Sequence, residues 1–105
     1  MALRAPEAFS RAAAKNPQSA LDYELAGEMA TSLGRAGERV EQALAVLRAL
    51  DAAHDPDARE RALRTAARAA HHYLIQREMI GLRRHDDAIR HFGISPEVLA
   101  RMGAG

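Results

Sequence analysis

A chain of 105 residues with a net charge of +1 and no cysteine is long enough for one domain and has no disulfide, thiolate chemistry or cysteine-built zinc site. The near-neutral balance also removes the simplest argument for nucleic-acid binding, a strong overall positive charge. Alanine is abundant, arginine outnumbers lysine fourteen to one, and Val, Ile and aromatic residues are scarce. Helix formers dominate and strand formers are nearly absent, so the chain reads as all-α.

No apolar run approaches the ~20 residues of a spanning helix. The start Met1-Ala2-Leu3-Arg4-Ala5-Pro6 lacks the apolar core of a signal peptide. A cytoplasmic location is expected. Residues 1–16 form an alanine-rich tail, either frayed or weakly helical over residues 6–14. Residues 17–105 form a single helical domain.

Asn16-Pro17 opens the first long helix, with the Asn side chain as cap and proline at the first helical position. The spacing predicts a helix over 17–53. Its stripe is Leu21, Leu25, Met29, Leu33, Ala36, Val40, Leu44 and Leu47, with Leu50 alongside; spacings of three and four share a face. Small residues form a ridge on the same helix: Gly27, Ala30, Gly34 and Gly37. Each interior glycine costs about 0.5–1 kcal/mol against alanine, so three of them need a reason. One is close approach of a second helix. The other is a break near Gly34-Arg35-Ala36-Gly37.

His54-Asp55-Pro56 marks the hairpin, with Asp55-Pro56 repeating the cap-then-proline signal and residues 57–60 offering an alternative capping box. A second helix is predicted over 56–83, burying Leu63, Ala66, Ala70, Tyr73, Leu74 and Ile80. Ile75, Met79 and Leu82 form a second apolar strip, which implies a second neighbour. Asp57 with Arg61 and Glu60 with Arg64 are acid-first pairs four apart. Gly81 and Arg83-Arg84-His85 end this helix. Asp86-Asp87 starts a short helix closed by Gly93, and Ser95-Pro96 starts another closed by Gly103. Ile94 precedes the Ser95 cap as a hydrophobic staple for Leu99.

The short connection makes the two long helices antiparallel. Residues 17–57 carry eight acids against three arginines, a net of −5, and residues 58–84 carry seven arginines against two glutamates, a net of +5. An acidic rod thus folds back along a basic one. Two rods leave much of each stripe in water, and pairing two hairpins into a four-helix bundle would bury both. A two-fold homodimer is the expected form, through Gly27, Ala30, Gly34, Gly37, Ile75, Met79 and Leu82.

Chemistry is thin. Ala88, Ile89, Phe92, Gly93, Ile94, Leu99 and Met102 fall near helix-turn-helix positions, so residues 86–102 form the best match to a DNA reader. Arg101 would be its outward contact, paired with Glu97 four residues before it, and Arg83 and Arg84 its phosphate contacts. The second helix is short for that task, and the charge from His85 onward is slightly negative. Two capped helices closing a bundle end are the expected alternative, with Arg101 exposed.

Asp87 and His91 are two possible metal ligands where structural zinc takes four. His71-His72 point about 100° apart, and Glu24 and Glu28 lack the Glu-x-x-His pairing of di-iron bundles. No serine sits in a strand–turn–helix elbow, and no phosphate-binding glycine loop occurs. No cofactor is expected. Gln76-Arg77-Glu78 is the polar cluster expected to be partly buried, with Arg77 placed to pair with the acidic first helix or to line a pocket.

The stretch Asp22-Tyr23-Glu24-Leu25-Ala26-Gly27-Glu28-Met29-Ala30-Thr31-Ser32-Leu33-Gly34-Arg35-Ala36-Gly37 is joined by Gln76-Arg77-Glu78-Met79-Ile80-Gly81-Leu82-Arg83 and Ile94-Ser95-Pro96-Glu97-Val98-Leu99. Together they resemble a small family of uncharacterised bacterial proteins, over nearly all of the chain after Ala20. The resemblance implies an all-helical fold and supplies no activity or site. Three readings of function therefore stand: first a non-enzymatic interaction or scaffold protein of unknown partner, then a DNA-binding protein, then a metal-binding or enzymatic bundle.

Overall fold

The computed structural model describes residues 17–103, so the expected tail of residues 1–16 lies outside the described part. Four helices and no strand occur among the described residues: α1 (Pro17–Ala49), α2 (Pro56–Met79), α3 (Asp86–Phe92) and α4 (Pro96–Arg101). By its contacts the chain forms two compact units, Met1–Ser32 and Leu33–Gly105.

In the first unit, residues 17–32 are helical and every residue from Leu21 to Ser32 is exposed. Three of the eight residues of the predicted apolar stripe, Leu21, Leu25 and Met29, are therefore in water. Thr31 Oγ1 bonds back to the Gly27 carbonyl at 3.0 Å, a common arrangement for threonine within a helix.

The second unit holds the core. Val40, Ala43, Leu44 and Leu47 from α1 meet Ala62, Leu63, Ala66, Ala67 and Ala70 from α2, and Ile94 and Val98 close the third side. The helices run antiparallel: Gly37 lies against Tyr73, while Leu47, Leu50 and Arg59 line one cleft. Alanine on α2 and Gly37 on α1 permit this approach. A Cβ at Gly37 would lie 3.3 Å from Phe92 Cζ and 3.4 Å from Tyr73 Cε1, whereas Gly27 and Gly34 face open space. The alternative of a break at 34–37 does not occur; α1 runs through it.

Both long helices stop four residues sooner than the periodicity predicts. At the end of α1, Asp51 Oδ1 accepts from the Ala53 N–H at 2.9 Å, and the Asp51 carbonyl accepts from His54 and Asp55 at 3.1 and 3.0 Å. An aspartate side chain that bonds its own downstream backbone competes with helix, here against two alanines that favour it. The connection becomes residues 50–55.

Asp55 then caps α2, its side chain accepting from the Ala58 N–H, with Pro56 in the first turn. Gly81 stops α2 at a φ of +94°. Its N–H bonds to the Glu78 carbonyl and that of Leu82 to the Arg77 carbonyl, which is a Schellman closure. Ile80, expected in the core, is thrown out of the helix and exposed; Tyr73 is half-buried.

The charge separation is not discharged by pairing. No ion pair joins α1 to α2 among the described residues.

Candidate functional site

The C-terminal helix pair is the strongest site candidate in the sequence. Gly93 closes α3 in the left-handed region, φ +68°, with the Gly93 N–H on the Arg90 carbonyl and the Ile94 N–H on the Ile89 carbonyl. This second Schellman closure turns the chain into Ser95, whose hydroxyl accepts from the Val98 N–H at 3.3 Å. Ala88, Ile94 and Val98 are buried; Ile89, Phe92, Leu99 and Met102 are partly so. The apolar pattern is therefore met by packing on the hairpin.

The polar side chains of α4 turn the same way. Arg59 on α2 donates two bonds to the Glu97 carboxylate, 3.0 and 2.9 Å. Arg101 donates two to Glu60 on α2, 2.8 and 2.7 Å, and a third to the Glu97 carbonyl at 2.8 Å. Arg64 adds the expected contact with Glu60 at 3.2 Å. Paired forks of this kind fix orientation as well as adding attraction.

The hydrogen bonds from Arg101 hold the Glu60 carboxyl below its ordinary range, against the opposing effect of partial burial. Arg59 does the same for Glu97. The Arg59 and Arg101 guanidinium groups are raised in turn by those carboxylates.

Arg101 is thus not the outward group expected from the sequence, nor is its side chain paired with the Glu97 side chain. It is half-buried in a clamp onto its own α2. Of the other candidate DNA contacts, Arg83 and Arg84 are exposed in the 80–85 linker.

The polar run of α2 also departs from expectation. Arg77, expected to pair with the first helix, donates to the Arg84 carbonyl at 2.8 Å and lies 6.0 Å from the Tyr73 ring centre. Glu78 meets His85 at 2.8 Å, and Gln76 meets His72 at 3.0 Å. Arg77 and Glu78 pin the linker back onto α2, because Gly81 reverses the chain there.

No metal-ligand group of three assembles among the described residues. Asp87 takes Arg90 at 2.6 Å, while the His91 ring meets Phe92 edge-on at 4.9 Å. Glu24 and Glu28 are exposed. An open cleft of about 520 Å³ is lined by Glu41, Gln42, Ala45, Arg48, His91 and Phe92. Arg48 there donates to the Phe92 carbonyl at 3.0 Å, tying α1 to the end of α3.

Among the candidate interface residues, Gly27, Ala30, Gly34, Ile75, Met79 and Leu82 are exposed, and Gly37 is buried. Of the clamp residues, Arg59 escaped sequence reasoning altogether, and Glu60 and Glu97 were given only partners four residues away. Their partners in the clamp lie 38 and 41 residues away, and only the four-apart spacings leave a trace along the chain.

No described helix is long and apolar enough to cross a membrane. No curated protein and no solved structure gives a significant match to the chain. The model of a family of unknown function, DUF6665, matches residues 2–105. With that coverage, the chain belongs to the family of unknown function DUF6665.

Proposed function

We propose that this protein is a non-enzymatic helical interaction or scaffold protein that works as a homodimer. The observation that carries the reading is the pair of apolar surfaces left in water. Leu21, Leu25 and Met29 are exposed at four-residue spacing, and Ile75, Met79, Ile80 and Leu82 are exposed within eight residues. Single exposed apolar residues are ordinary, whereas a contiguous set marks an interaction surface. Gly27 and Gly34 add a place where a second helix can come close, since among the described residues no other part of the chain lies within 4 Å of a Cβ built there. The DNA reading gains nothing from the geometry, because Glu60 occupies the one base-directed candidate, Arg101.

Light scattering on the full chain at micromolar concentration tests the proposal. A mass of twice 11.4 kDa is expected, and a monomer mass ends it. Gly34→Leu should weaken association if the ridge receives a partner helix, with helix content unchanged.

A further inference from the structure

Opposite charge and exposed apolar surface occur together at two places on this chain. Residues 17–32 carry Asp22, Glu24 and Glu28 and no basic residue. On that helix Leu21, Leu25 and Met29 advance by about 40° per step, with Glu24 and Glu28 along one flank and Asp22 along the other. These three apolar side chains are 51, 47 and 41 % exposed.

The solvent face of α2 is the complement. Arg61, Arg64, Arg68, His72, Ile75 and Met79 follow at spacings of three and four, which is one helix face, and all are exposed. Leu82, Arg83 and Arg84 continue it into the linker, also exposed. The line contains no acid. Ile75, Met79 and Leu82 are 41, 70 and 43 % exposed.

We infer that residues 17–32 of one copy lie on the basic, apolar-ended face of α2 in a second copy, reciprocally. The pairing rests on the self-association proposed above and specifies its contacts. A second copy is the fitting occupant because each chain carries both halves. Two-fold symmetry then satisfies both at once. Leu21, Leu25 and Met29 would cover Ile75, Met79 and Leu82, and Glu24 and Glu28 would face Arg83 and Arg84. No ion pair within the described chain competes for these groups: the described pairs of α2 run to Glu97, Arg101 and His85 or stay within α2.

The test is a charge swap on the full chain, read by sedimentation equilibrium. E24R/E28R and R83E/R84E each place like charges at both contacts, so each should raise the dimer dissociation constant at least ~tenfold. Both alter exposed residues, and circular dichroism should show unchanged helix. Mixed together they restore opposite charges at both contacts, and a dimer of one copy of each should return. Wild-type association should weaken as salt screens the contact.

Dimers unaffected by either variant would overturn this pairing and leave self-association standing. Loss of dimer in E24R/E28R alone, without rescue on mixing, would point to contact between two α1 helices and also overturn it. A monomeric wild-type chain would end both proposals.

Discussion

Replacing Leu63 by alanine removes three carbons from the centre of the described core. Leu63 is 2 % exposed and shares its cluster with Val40, Leu44, Ala66, Ala67 and Val98. Deleting a buried leucine to alanine costs about 2–5 kcal/mol, more where neighbours cannot move into the gap. Here most cannot: the alanines carry only a Cβ fixed to the backbone, and Val40 and Val98 are stiff at their first torsion, which leaves Leu44 as the neighbour able to shift. The upper half of the range, about 3–5 kcal/mol, is therefore expected. Against a total of roughly 5–15 kcal/mol for a domain, that is a large fraction. Urea unfolding followed by circular dichroism at a fixed protein concentration should show a lower midpoint with an unchanged slope. The exposed Val46→Ala should stay within about 0.5 kcal/mol of the parent. A loss below about 1 kcal/mol for Leu63→Ala, where buried leucines cost more, would refute the packing argument.

Gly93→Ala should destabilise by about 1–2 kcal/mol, because an L-residue is forced into the left-handed region. Its Cβ would also meet Arg48 Nη2 at 3.0 Å. An unchanged midpoint in urea melts would contradict the assignment. The clamp should be sensitive to acid. Glu60 and Glu97 are held below their ordinary range by Arg101 and Arg59, and an unfolded glutamate titrates near ~4.3. Their contribution is complete above that value and is lost as pH falls through the lower folded values. Urea midpoints measured from neutral pH downward should drop there, and R59A/R101A should lower the neutral midpoint while flattening the acid response. An unchanged acid response in that variant would show that the sensitivity lies elsewhere.

Local signals carried much of the fold. Asp55-Pro56 and Ser95-Pro96 start helices where the sequence places them, because a cap and a proline act on the backbone beside them. Gly81 and Gly93 end helices for the same local reason. The Asp51 stop was missed: its side chain works against Ala52 and Ala53, and composition weighs the alanines more heavily. Ile80 was misplaced because apolar periodicity was carried past Met79, where α2 ends.

By itself, then, the sequence determined an all-helical chain, its helix starts, its apolar faces and its division into acidic and basic stretches. These follow from propensities and spacings that act over a few residues. Only the tertiary structure decided which part of each apolar face is covered: the α1 stripe is buried from Ala36 to Leu47 and exposed from Leu21 to Met29. Periodicity says which side of a helix is apolar, and a neighbour must be present for that side to be buried. The same holds for charge. Glu60 and Arg101 are brought together by the turn at Gly93 and the seating of Val98, so a side chain expected to face outward became half of an internal clamp.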